Sequence, residues 1–259
     1  MDALNKKRQK EKPKKKKHGT GFVILVALSV LAGIYAYCRV IHDKGNNAAT
    51  NNIVEMYDVA IPEYDGKAYV AVNNNYPFFT DADKNLNVFE HYSPLDRQGR
   101  CGVAYANICL ELMPTEERGE IGQIKPSGWE QAKYEGVVDA NPPYLYNRCH
   151  LIAFCLAGEN ANEKNLITGT RYMNVEGMLP WEEMVAGYVD KTGNHVLYRV
   201  TPDFRDEDLV ARGVMIEAYS VEDNGKGICF CVYCYNVQPG IEIDYSTGKS
   251  KLDGAVSLR

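Results

Sequence analysis

Residues 53–259 contain no internal repeat and no low-complexity tract, so a repeat array has no basis there. Glycine (22) and proline (11) are too few and aperiodic for a collagen-like chain. A hydrophobic share of 45% with 24% charged residues excludes a wholly disordered chain, and no heptad pattern supports a coiled coil. Charge is missing altogether from residues 19–38, GTGFVILVALSVLAGIYAYC. Positive charge is scarce in the long C-terminal part: residues 43–259 hold 19 Lys/Arg against 32 Asp/Glu, a balance of −13.

The uncharged window and the basic tail before it explain each other. Residues 1–18 carry nine Lys/Arg against Asp2 and Glu11. A bilayer core needs roughly 20 apolar residues in a helix, and a cleaved signal core is shorter, about 7–15 residues before small side chains. Here Tyr35 and Tyr37 crowd the place where small residues would be needed, and Tyr37 before Cys38 argues against a lipoprotein site. The expectation is an uncleaved signal anchor over 19–41, with the basic tail 1–18 held in the cytoplasm by the positive-inside rule. Residues 42–52, including DKGNNAATNN, read as a polar tether. Residues 53–259 would then form one domain on the outer face of the cell membrane.

That domain has two textures. Up to about residue 190, short strands alternate with loops and helical pieces. Beyond it, HVLYRV (195–200), DLVARGVMIEAYSV (208–221) and GICFCVYCYNV (227–237) alternate apolar and polar positions and are rich in β-branched and aromatic residues. Asp223-Asn224-Gly225 and Gln238-Pro239-Gly240 are turn signals around the third of them. The class is α+β with a substantial antiparallel sheet.

Seven cysteines follow the span: Cys101, Cys109, Cys149, Cys155, Cys229, Cys231 and Cys234. An odd number leaves at least one thiol outside any intrachain bridge. Cys231-Val-Tyr-Cys234 has redox or half-zinc spacing, but it lies within an alternating strand instead of at a helix N-terminus that would lower a thiol pKa. No second spaced pair completes a zinc site.

The stretch 144–185, YLYNRCHLIAFCLAGENANEKNLITGTRYMNVEGMLPWEEMV, reads as strand, loop, strand and helix. His150 closes the first strand, a second strand covers 165–170, and 171–178 forms a helical turn or two. Pro180 suits the start of a further helix whose first turn holds Glu182 and Glu183. Phosphodiester hydrolysis needs a base for water, a cation for the phosphate and leaving oxygen, and groups that position both. A histidine with a pKa near ~6.5 can be the base at neutral pH. Asn174 offers a hard oxygen to Mg²⁺, which keeps most of its waters. Glu182 could hold those waters, and Arg148 could take a phosphate on its planar fork.

The joint spacing resembles the DNA/RNA non-specific endonuclease family, of ββα-metal (His-Me finger) fold, particularly its membrane-anchored Gram-positive members. The family's Asp-Arg-Gly-His signature lies over Asn147-Arg148-Cys149-His150. Its two asparagines, nine apart, lie over Asn165 and Asn174, and its helix glutamate, eight further on, over Glu182. LDRQGRCGVAYANI (95–108) and Lys125-Pro126-Ser127-Gly128-Trp129 extend the likeness across most of 53–259. The resemblance implies a ββα-metal core on an antiparallel sheet and His150 as general base. It makes Asn174 the direct Mg²⁺ ligand, with Mn²⁺ as a substitute, and has Asn165 and Glu182 orient the site and its metal waters. Arg148 would contact phosphate, with Arg100 and Arg118 as further candidates for substrate contact. DNA and RNA would be the substrates.

Two departures stand out. Asn147 replaces an aspartate that could orient Arg148, and Cys149 replaces a glycine, which would clash if the position needed positive φ. A bridge from Cys149 to Cys155 or Cys101 is one outcome, a tolerated small side chain the other. The acidic body argues against tight binding of nucleic acid, unless positive potential is confined to a cleft. Two alternative functions are a binding or adhesion module of the same fold that has lost catalysis, and a thiol-disulfide oxidoreductase using Cys231 and Cys234.

Overall fold

A computed structural model describes residues 57–254. The expected tail, span and tether (1–18, 19–41 and 42–52) lie outside the described residues. No helix among the described residues is long and apolar enough to cross a membrane. Along the chain the strands are β1 (Tyr69–Ala71), β2 (Glu90–Tyr92), β3 (Ala104–Ile108), β4 (Tyr146–His150), β5 (Leu166–Thr170), β6 (Val196–Pro202), β7 (Gly213–Ser220), β8 (Cys229–Tyr235), β9 (Ile241–Ile243) and β10 (Ser250–Leu252). The α-helices are α1 (Phe154–Ala157) and α2 (Leu179–Thr192).

Six strands form one antiparallel sheet in the order β1-β8-β7-β6-β3-β2. Its centre is the meander expected from the alternating segments, in register Val200↔Ile216 and Ile216↔Val232. Asn224 and Gly225 turn the chain between β7 and β8 with φ of 57° and 76°, the left-handed region that suits those two residue types.

The alternating pattern predicts one wet face, and here the structure differs. All eight residues of β7 are buried. One face carries Tyr198, Ile216, Phe230 and Val232 against Val185 and Val189 of α2, Met173 and Ile167. The other carries Met215, Cys231 and Tyr233 beneath Tyr57, Val59, Ile61 and Phe78. Polar side chains on this second face are paired instead of solvated. Arg199 donates to Glu217 at 2.7 and 2.9 Å, and the Phe78 amide donates to the same carboxylate at 2.8 Å. The chain on either side of β1 therefore covers this face of the sheet.

Helix α2 has Pro180 and Glu182 in its first turn and Lys191 in its last, and Gly193 (φ 71°) ends it by donating its amide to the Val189 carbonyl. Burial of Val185 and Val189 contributes about 1.5–3 kcal/mol each. The hairpin β4-β5 stays outside the large sheet. Two strands alone are marginal in water, and side-chain amides hold this pair in place. Gln131 exchanges two hydrogen bonds with the Tyr146 backbone (2.6 and 3.0 Å). Asn236 accepts from the Thr170 amide at 2.8 Å and donates to the Thr168 carbonyl at 3.0 Å.

Candidate active site

Strands alternate their side chains, so β4 sends Tyr146, Arg148 and His150 to one side and Cys149 to the core. His150, 7% exposed, sits where β4 ends, paired with Leu166. Its Nε2–H donates to the Asn160 carbonyl at 2.8 Å, and Arg118 Nη2 donates to its Nδ1 at 3.3 Å. A carbonyl only accepts and a guanidinium only donates, so the neutral ring carries its proton on Nε2 and its lone pair on Nδ1. Burial holds the imidazole below its ordinary pKa; the Asn160 carbonyl opposes the shift and the charge of Arg118 adds to it. The result is a neutral base of fixed orientation.

Asn174 and Glu182 reach the same cleft by a device the sequence does not advertise. Residues Met173–Met178 form a π turn that runs directly into α2. Residues eight apart on an unbroken α-helix point about 80° away from each other; absorbing one extra residue in a π turn reduces this to about 20°. Gly177 permits the wide turn to lie against β8, since a Cβ there would sit 3.3 Å from that of Cys234. Glu182 is 9% exposed, and burial pushes its carboxyl up to about 8, with Arg118 opposing and Glu183 adding. Among the described residues neither the Asn174 amide nor the Glu182 carboxylate takes part in a side-chain hydrogen bond. No group of three or more His, Cys, Asp or Glu among the described residues could cage a metal. One amide oxygen and one desolvated carboxylate without a donor instead suit a hard cation that keeps its waters.

Arg148, Asn165 and Arg100 are each engaged with backbone groups. Arg148 lines the cleft, but its Nε and Nη2 donate to the carbonyls of Ile124 (2.5 Å) and Gly122 (2.7 Å), and its guanidinium stacks 4.2 Å over Trp129. Two of its five N–H donors therefore hold the 122–129 loop. Asn165 is wholly buried, accepting from the Ile152 amide at 2.8 Å and donating to the Ile152 carbonyl at 2.9 Å. It fixes the chain just after His150. Arg100 is outside the cleft, bound to Asp96 at 2.7 Å and to the carbonyls of Asp206 and Asp208. Arg118, by contrast, is in the centre. Sequence reasoning missed Asn160 because it acts through its backbone carbonyl, which no side-chain motif reveals.

Cys149 has an ordinary strand conformation and a free, buried thiol. Its sulfur fills the space that a side chain on Gly169 of β5 would need. Burial pushes this thiol up, away from reactivity. Cys155 is also free, and the Cys101 thiol donates to the carbonyls of Glu163 and Leu166, so neither bridge considered for Cys149 is formed. Replacing Cys149 by glycine should leave nucleic-acid cleavage within a few-fold and lower thermal stability by about 1–2 kcal/mol through the void beside Gly169. Assay and melting curve together check this; a large loss of activity with an unchanged melting point would mean the sulfur acts in the site.

The thiol-disulfide alternative fails on geometry. Cys231 and Cys234 are three apart on β8 and belong to clusters on opposite faces of the sheet. Burial raises both thiols.

The cleft has a volume of about 920 Å³ and is lined by Arg118, Arg148 and Arg171 against a single carboxylate, Glu182. Positive potential is thus concentrated in the cleft that His150 and Asn174 both line, inside a domain that is acidic as a whole.

A profile of the DNA/RNA non-specific endonuclease family matches residues 81–222. A deoxyribonuclease of Streptococcus dysgalactiae subsp. equisimilis is 31% identical over 232 residues, covering 74% of this chain and 69% of that protein. Among solved structures, NucA from Streptococcus agalactiae with magnesium bound superposes with a TM-score of 0.66 at 27% identity, over 78% of this chain and 94% of NucA. The Sda1 nuclease with bound zinc shares the fold, with a TM-score of 0.59 at 24% identity over 75% of this chain and 97% of Sda1. The chain belongs to the DNA/RNA non-specific endonuclease family and is a nuclease that hydrolyses nucleic acid.

Proposed function

We propose that this nuclease is metal-dependent, indifferent to sequence, and cuts both DNA and RNA endonucleolytically from a ββα-metal core made of β4, β5 and the helical segment that begins at Met173. The observation that carries this reading is His150, fixed in one tautomer with its lone pair turned into a cleft shared with Asn174 and Glu182. Bound Mg²⁺, or Mn²⁺ in its place, would polarise the scissile phosphate and stabilise the leaving 3′-oxygen. Asn174 would supply the protein ligand, and Glu182 would accept hydrogen bonds from metal waters. NucA carries magnesium in its structure, which supports that choice of ion.

The rest of the chemistry belongs to side chains of this chain. Arg118 covers Nδ1 of His150 in the free protein and is the cation best placed to turn towards an incoming phosphate. Nδ1 then accepts a proton from the water that attacks phosphorus in line, while the P–O3′ bond breaks and the phosphate remains on the 5′ side. The Asn160 carbonyl keeps hold of Nε2–H throughout and stabilises the imidazolium that forms. Contacts confined to phosphate and sugar carry no sequence information.

Digestion of supercoiled plasmid and of RNA across about pH 5–8 tests this reading. Cleavage should require Mg²⁺ and stop with EDTA. Because the imidazole is held below its ordinary value, the rate should fall to half of its plateau only below pH ~6.5. A module that has lost catalysis would bind the same nucleic acids and cut neither.

We also infer that residues 19–41 anchor the protein in the cell membrane, with 1–18 in the cytoplasm and the nuclease domain outside. Nine cations before twenty uncharged residues support this topology. Protease added to intact cells should degrade the nuclease domain and spare an N-terminal tag; a soluble product beginning beyond Cys38 would mean that the span is a cleaved signal.

A further inference from the structure

The cleft runs on from His150 to an end that the hydrolytic chemistry does not use, walled by Trp129, Gln131, Asn141 and Tyr144. Tyr144 differs from its neighbours. Leu145 and Tyr146 enter a small apolar cluster with Val138 and Ile241, whereas Tyr144 is left 40% exposed. Its backbone is fixed all the same: it bridges Lys133, and its amide donates to the Pro142 carbonyl at 2.8 Å. The Lys133 ammonium lies 4.9 Å from the centre of the Tyr144 ring. An exposed ring on a fixed backbone, with a cation against it, lines the same cleft as a phosphodiester-hydrolysing group.

Proteins that hold single strands combine such parts, with bases stacked on aromatic faces and the backbone tracked by cations. Six residues span at most about 20 Å of chain, so Tyr144 lies within a few nucleotides of a phosphate at His150. We propose that Tyr144 is a stacking platform for an unpaired base of the strand being cut, with Lys133 serving a neighbouring phosphate. The proposal rests on the nuclease reading and adds to it a substrate class, a strand whose bases are free to stack. A base paired within a duplex must unstack to reach the ring, so single strands and open ends should be preferred.

The test compares a 20-nucleotide single strand of thymidines with a strand of equal length in which every base is replaced by an abasic analogue. Wild type, Tyr144→Ala and Tyr144→Trp are assayed with Mg²⁺ for KM and kcat, with melting curves to establish that each is folded. For wild type, base removal should raise KM by about 5- to 150-fold, the range expected for one stacked base. Tyr144→Ala should raise KM on the thymidine strand by a similar factor, with kcat little changed, and should be nearly insensitive to base removal; Tyr144→Trp should behave like wild type. Equal sensitivity of wild type and Tyr144→Ala to base removal would overturn the platform, as would an unchanged KM in Tyr144→Ala. Fluorescence anisotropy of the labelled thymidine strand in EDTA reads the same ratios without cleavage. Tyr144-dependent binding without any cutting would sink the nuclease reading and leave the platform standing, so the two failures are told apart.

Discussion

Replacing His150 by alanine should lower the rate of phosphodiester cleavage by about 10²–10⁴-fold, the usual scale for loss of a positioned acid–base group. The expectation is this large because the only other base-capable side chain lining the cleft among the described residues, Glu182, is assigned to the metal waters. Nδ1 of His150 carries the free lone pair of the neutral ring, and the guanidinium groups that also line the cleft stay protonated. The fold should survive. His150 closes the hairpin by its backbone, and its side chain adds a hydrogen bond to Asn160 worth about 1 kcal/mol. Thermal melting of the variant, measured beside plasmid cleavage, separates lost chemistry from lost structure.

Asn174→Ala should cost at least as much, about two orders of magnitude or more at limiting Mg²⁺, and should recover in part when Mg²⁺ is raised. The π turn supplies Asn174 as a neutral oxygen donor to the cleft it shares with Glu182, whose carboxyl is pushed up by burial. A variant without Asn174 must therefore hold the ion through its waters and Glu182 alone. Isothermal titration with Mg²⁺ should show the loss directly, and its failure to weaken would remove Asn174 as the ligand.

The parts of the molecule that were legible in the sequence are those governed by local rules. Alternation predicted β6, β7 and β8, the Asp223-Asn224-Gly225 signal marked their turn, and Pro180 with Glu182 marked the start of α2. Spacing pointed to His150, Asn174 and Glu182, which the structure brings into one cleft. What was not legible depends on contacts between distant segments. Nothing near Arg199 or Glu217 reveals that segments on either side of β1 will cover them. Arg148 and Arg118 look alike as cations; only the fold commits one to the carbonyls of Gly122 and Ile124 and leaves the other at the imidazole. Asn165 has the residue type of a metal ligand and the surroundings of a backbone clasp. The π turn escapes detection because Met173–Met178 has the composition of an ordinary helical turn, although the eight-residue step from Asn174 to Glu182 fits one face only if a residue is absorbed.

The central claim is that a neutral imidazole at position 150 takes the proton from the attacking water. Its most direct test is plasmid cleavage by His150→Gly with Mg²⁺, with and without added imidazole. The variant should be inactive alone, regain activity as imidazole rises, and lose it again with EDTA. Cleavage at the wild-type rate without imidazole would contradict the account.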